Sequence, residues 1–206
     1  MVNDSLVKLL HAHLAWWGLR QFTSDVAYFS WQRQTLSPAE INALHRQVEE
    51  KRRGSPASET LFYDATAQPH ILPVLYSQGY EYYLAIGPRV ADRIDGARSI
   101  LDVGCGVGIL TTFYARQYPD KTVVGIDRSP ASIARAQERA EALHLKNVQF
   151  ECFDLDHGVP THPVDLILAT HALLQAEQDP GIPSRSWKTF ERACEGRQQA
   201  DFERRT

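Results

Sequence analysis

Cysteine is scarce in this 206-residue chain. There are three, Cys105, Cys152 and Cys194, an odd number with no CxxC pair and no zinc-ligand spacing. That argues against a disulfide framework, implies no metal site, and points to a reducing compartment. Charge of either sign is not in excess: 22 Lys and Arg stand against 25 Asp and Glu, a formal net charge of -3. Nothing in that balance steers the chain toward nucleic acid or an anionic membrane. No window approaches the roughly 18 uninterrupted apolar residues of a membrane span. The start, Met1 to Ser5, lacks the basic segment of a secretion signal. A cytoplasmic location is the resulting expectation, with no membrane partner. Repeats and low-complexity tracts are absent too.

What is present divides into three stretches. Residues 1–96 read as helical. Leu6, Leu10, His13, Leu14 and Trp17 recur at three- and four-residue spacing and form one apolar stripe. Ser37-Pro38-Ala39-Glu40 reads as an N-cap, a proline at the first helical position and a polar first turn. Gly54-Ser55-Pro56 ends that helix. Tyr76 to Ile86 is rich in aromatic residues, and Gly87-Pro88 is expected to interrupt it before Val90 to Ile94 resumes. The middle stretch alternates short apolar runs (99–103, 122–126, 148–153, 164–169) with helical segments (107–118, 130–144). Strand, helix, strand, helix, strand, loop, strand signals an α/β domain with a parallel sheet. From 171 onward the sequence is charged and predicted helical after the break Asp179 to Pro183.

Leu101-Asp102-Val103-Gly104-Cys105-Gly106-Val107-Gly108 lies between the first strand and the helix after it. Glycines there permit a sharp turn and let a ligand approach bare backbone. Amides at the helix start are expected to be free to hold an electron-rich group. Asp127 ends the next strand, 23 residues after Gly104. Its carboxylate suits both hydroxyls of a ribose; the alternative is a cap on the helix opening at Pro130. A dinucleotide fingerprint would require glycine at position 109, where Ile109 stands, and Asp102 would repel a pyrophosphate. No Walker lysine follows the loop.

With these features in order, residues 99–171 resemble the class I S-adenosylmethionine-dependent methyltransferases. The resemblance implies a Rossmann-like parallel sheet, 3-2-1-4 in the legible strands, with helices on both faces and an N-terminal helical extension. It implies two regions: 1–96 as a helical lid, and 97–206 as the S-adenosylmethionine-binding domain with its C-terminal part missing or replaced by helix. It matches the family's acidic-x-Gly-x-Gly-x-Gly loop to Asp102, Gly104, Cys105, Gly106 and Gly108, and the second-strand acid to Asp127. Asp154, with Asp156 as competitor, matches the acid beside the adenine. Arg128 and Leu155 flank these acids as further cofactor contacts, and Tyr83 belongs to the tyrosine group (Tyr80, Tyr82, Tyr83) placed to close over the donor, the alternative being ordinary helix packing. His171, just after the fourth strand, is the expected general base if the acceptor loses a proton; its alternative is to cap or pack on the following turn. The expected acceptor is a small molecule. DNA is disfavoured, because Ala169-Thr170-His171-Ala172 stands where relatives that methylate nucleobase amines carry a Pro-Pro-aromatic motif, and no Pro-Cys pair is present.

The family's sheet has seven strands, and four are legible here. The expectation is that the chain is the N-terminal portion of a longer enzyme. The alternatives are a homo-oligomer or partner chain covering the sheet edge, or a shortened, non-catalytic binding or interaction protein.

Overall fold

The structure, a computed structural model, describes residues 4–52, 56–155, 158 and 163–170. The expected helix after residue 171, His171 itself and Asp156 lie outside the described residues.

Six helices precede the sheet: α1 (Asp4–Trp16), α2 (Asp25–Thr35), α3 (Pro38–Arg52), α4 (Pro56–Thr66), α5 (Leu72–Tyr76) and, after a short 3-10 turn, α6 (Tyr80–Ile94). The apolar stripe that begins in α1 buries Leu10, Leu14 and Trp17. At α3 the Ser37 and Glu40 side chains form a reciprocal cap: Ser37 N–H donates to Glu40 Oε2 at 2.7 Å, and Glu40 N–H to Ser37 Oγ at 3.3 Å.

One expectation fails here. Gly87-Pro88 does not interrupt the aromatic segment; α6 runs through it. A β-carbon on Gly87 would lie 2.7 Å from Leu10 Cδ2 and 3.2 Å from Leu110 Cδ2. The glycine is therefore there for close helix packing. Burial against α1 and the helix after the first strand outweighs the local cost of a helical proline, and Pro88 is itself buried.

The sheet alternates with two further helices: β1 (Ser99–Val103), α7 (Ile109–Gln117), β2 (Thr122–Asp127), α8 (Pro130–Ala142), β3 (Val148–Cys152) and β4 (Leu166–Leu168). All pairings among them are parallel, in the order β3-β2-β1-β4. That is the Rossmann-like order expected. Central β1 is buried along Ile100 to Val103, the near-continuous burial of a parallel strand covered on both faces. Ile100 and Val123 join the core under α1, α6 and α7, while Leu101, Val103 and Ile126 cluster on the other face. Asp165 holds the start of β4 in place, its Oδ2 accepting the amides of Arg98 (2.8 Å) and Ser99 (2.9 Å).

The main core does not stop where the sheet begins. Leu10, Leu14, Trp17, Leu72, Tyr80 and Ala91 of the helical stretch pack in one cluster with Ile100, Leu110, Phe113, Tyr114 and Val123. A second cluster, Tyr28, Leu36, Leu44, Ala65, Ile71 and Val74, binds α2 to α5 together.

Candidate functional site

The C-terminal edge of a parallel sheet is where successive strand ends and loops converge, and β1 and β2 place their terminal residues there side by side. The turn after β1 uses three glycines with positive φ: Gly104 at 68°, Gly106 at 54° and Gly108 at 84°. L-residues avoid that region, so the turn is written in glycine. Gly106 and Gly108 differ in surroundings. At Gly108 a β-carbon would sit 2.9 Å from Ala136 Cβ and 3.0 Å from Phe150, so this glycine lets α7 approach α8 and β3. At Gly106, among the described residues, a β-carbon would meet only the Tyr76 hydroxyl, at 3.8 Å. That side of Gly106 is a hollow bounded by a phenol.

The loop's amides do not behave as expected for an anion hole. Gly104 N–H and Cys105 N–H both donate to the Ile126 carbonyl, at 2.8 and 3.0 Å. Gly108 N–H closes back on the Cys105 carbonyl at 3.0 Å. Gly106 N–H donates to Asp127 Oδ2 at 2.9 Å. Four amides are thus committed within the protein, three of them to the end of β2. The loop offers bare backbone, with those donors taken.

Asp127 and the loop are joined directly by the Gly106 bond. The other carboxylate oxygen, Oδ1, accepts Ser129 N–H at 2.9 Å. Ser129 caps α8, its Oγ accepting Ser132 N–H at 3.1 Å. Asp127 therefore braces the turn, and the helix cap falls to Ser129. An ionised carboxylate has about four lone-pair sites, so both oxygens can still accept from a ligand.

Asp102 lies one strand inward, buried at 4% exposure, with Oδ2 accepting the Thr111 hydroxyl at 2.6 Å. Burial pushes its carboxyl up to about 6; the Thr111 bond acts in the opposite sense and the charge of Asp127 adds to the rise. Cys105 packs its sulfur into the protein, 3.0 Å from where a β-carbon on Gly125 would stand. Burial, then Asp102 and Asp127, raise its thiol well above the ordinary range, leaving it protonated and inert.

The chain after β3 returns to the same rim, since Phe153 N–H donates to the Asp127 carbonyl at 2.9 Å. This brings half-buried Asp154 and exposed Leu155 beside Asp127 and exposed Arg128. Tyr82 and Tyr83 of α6 pack together, ring centroids 5.9 Å apart, and burial raises both phenols and that of Tyr76 in α5. Tyr82 donates to the Thr170 carbonyl, past the end of β4. So Asp102, Gly104, Cys105, Gly106, Asp127 and Arg128 lie at and just beyond the ends of the paired strands β1 and β2, Asp154 and Leu155 follow β3, and Tyr83 packs on Tyr82 in α6.

Sequence reasoning missed Tyr76, whose hydroxyl faces Gly106, and Thr111, which bonds Asp102. Tyr76 sat within the aromatic segment as one ring among several. Thr111 had no mark beyond its place in the helix after the loop.

Two carboxylates beside bare backbone with committed amides suit a ligand with hydroxyls and an ammonium, and disfavour a pyrophosphate. The family comparisons agree with that donor set. Residues 94–193 match the family described as "Methyltransferase domain". The chain is similar to a malonyl-(acyl-carrier protein) O-methyltransferase of Acetivibrio thermocellus, 30% identical over 101 residues, 45% of this chain and 35% of that one. It is also similar to a trans-aconitate 2-methyltransferase of Yersinia pseudotuberculosis, 38% identical over 80 residues, 39% and 29% of the two chains. It thus spans about a third of the length of these curated relatives. Among solved structures, coclaurine N-methyltransferase bound to N-methylheliamine and SAH aligns with a TM-score of 0.40 at 19% identity, over 81% of this chain and 48% of that one.

Proposed function

We propose that the protein is an S-adenosylmethionine-dependent methyltransferase acting on a small-molecule acceptor. The observation that carries this reading is the Gly106 N–H to Asp127 bond, which ties the glycine turn directly to a half-buried carboxylate at the end of β2. When bound, the sulfonium donor supplies an electrophilic methyl group. The protein's part is chiefly alignment, which by proximity alone reaches effective molarities of about 10⁵ M or more.

In this reading Asp102 pairs with the ammonium of the amino-acid end, Gly104 and Gly106 let that end lie close, and Asp127 takes the ribose. Asp154 receives the adenine amino group. Arg128, Leu155, Cys105 and Tyr83 line the remaining walls. His171 takes the proton from an acceptor that must lose one. Residues 1–96 act as the lid and 97–206 as the donor-binding domain. The trans-aconitate relative supports a small-molecule acceptor by its name; the malonyl-(acyl-carrier protein) relative shows that acceptors vary within the similarity. Among the described residues no helix is long and apolar enough to cross a membrane.

Calorimetric titration with S-adenosylmethionine and S-adenosylhomocysteine tests the reading. Uptake of both is expected, and Asp127→Ala should weaken each by about 3 kcal/mol, the loss of two charge-assisted hydrogen bonds. A folded protein that takes up neither compound would overturn the proposal.

A further inference from the structure

α7 carries two threonines in succession, Thr111 and Thr112, both without exposed surface. A threonine inside a helix commonly turns its hydroxyl back on the carbonyl four residues earlier. Thr112 does so, its Oγ1 donating to the Gly108 carbonyl at 2.7 Å. Thr111 does not. Its hydroxyl leaves the helix and donates to Asp102 Oδ2 on β1 at 2.6 Å, within the short range of a bond from a hydroxyl to a carboxylate.

Among the described residues, Thr111 supplies the one hydrogen bond that the Asp102 carboxyl receives, and Oδ1 has no donor. The titratable groups in the field of that carboxyl are Asp127 of β2, Cys105 of the glycine turn, Tyr114 of α7 and Tyr82 of α6. Each of these ionises to an anion, so none of them balances a charge on Asp102. Burial and Asp127 favour the neutral acid, and the Thr111 bond favours the carboxylate against them. The same bond restrains rotation of the carboxyl, and with it the direction of Oδ1.

We propose that Thr111 is the residue that positions Asp102 for the donor: its hydroxyl holds Oδ2 and leaves Oδ1 for the ammonium at the donor's amino-acid end. By favouring the charged form it also sets the pH above which that pairing forms. This rests on the donor-binding reading above and deepens it. Thr111 never touches the ligand.

The test titrates the full chain, Thr111→Val and Thr111→Ser calorimetrically with S-adenosylhomocysteine and 5′-methylthioadenosine, from about pH 5 to 8. The second probe lacks the amino-acid end and its ammonium. In the unaltered chain, S-adenosylhomocysteine should bind more tightly as pH rises through about 6, where Asp102 ionises, and 5′-methylthioadenosine should not. Thr111→Val removes the group that favours the carboxylate, so the midpoint of that profile should move up by about one pH unit. At a pH of about 6 its affinity for S-adenosylhomocysteine should fall about five- to tenfold, with most of the loss recovered by about pH 8. Thr111→Ser keeps the hydroxyl and should return the profile to that of the unaltered chain. An equal loss for both probes at every pH would reduce Thr111 to packing and overturn the proposal. An unmoved profile in Thr111→Val, or the same displacement in Thr111→Ser, would overturn it as well. If Thr111→Val does not melt cooperatively, Thr111→Ala, which removes the same hydroxyl and needs less room, takes its place in the comparison. Failure of the unaltered chain to bind either probe would remove the donor-binding reading and this inference together, whereas binding of both probes with an unmoved profile removes the inference alone.

Discussion

Asp102 carries a stability cost at neutral pH. Its folded pKa, about 6, lies above its ordinary 3.8. Its contribution to stability is complete below 3.8 and is lost as pH rises through 6, because the buried carboxylate must then be charged. At pH 7.5 the ligand-free protein bears that cost, roughly 3 kcal/mol for a shift of about two units in a buried group. Asp102→Asn keeps an acceptor for the Thr111 hydroxyl and removes the charge. It should raise the melting temperature at pH 7.5 while weakening S-adenosylmethionine binding. A variant that melts lower and binds as before would contradict both halves. The residue was legible in the sequence because it abuts the glycines. Its partner Thr111 was not, since a helix face is settled only by packing.

At the level of elements, the glycines of one turn serve different ends. Gly108→Ala places a β-carbon against Ala136 and Phe150 at positive φ, so strain and overpacking add. A loss of about 3 kcal/mol in urea denaturation is expected. Gly106→Ala, among the described residues, meets only the Tyr76 hydroxyl. It should cost about 1 kcal/mol in stability, yet fill the hollow and reduce donor affinity by about tenfold or more. If both substitutions cost the same stability and the same affinity, the division of labour is wrong. The β-α alternation, the strand order and the acids at successive strand ends were readable because each recurs at a fixed place on its own element. The path of α6 through Gly87-Pro88 was not, because local punctuation says nothing about a close approach by Leu10 from a distant helix. The direction of the loop amides was equally hidden: one glycine pattern permits amides turned outward or inward, and only the φ values decide.

For the molecule as a whole, the first helix and the sheet share one interior, and His13 sits in it with no exposed surface. Its Nε2 lies 2.8 Å from the Ile109 carbonyl, 3.0 Å from the Trp17 indole nitrogen and 3.3 Å from Thr112 Oγ1. Burial pushes its pKa from 6.5 to about 4; the Ile109 carbonyl acts in the opposite sense, and Arg116 lowers it further. The neutral ring is therefore the folded form. Between pH 6.5 and 4 the unfolded chain binds the extra proton, so stability should fall with acid over that window by roughly 2 to 3 kcal/mol. Asp102 works in the opposite direction between 3.8 and 6, so the comparison needed is denaturation of the native chain against His13→Gln from about pH 7 to 4. The native chain should lose more. Parallel curves would show that His13 does not control acid sensitivity. Contacts such as His13 to Ile109, 96 positions apart, have no signature in sequence, since they exist only after helices dock.

The inward amides of the glycine turn carry a consequence for speed as well as affinity. A turn already tied to Ile126 and Asp127 has its shape before any visitor arrives. Capture then demands no freezing of a wandering segment, and the entropy that a floppy cradle would forfeit on each encounter has been settled once, when the chain folded.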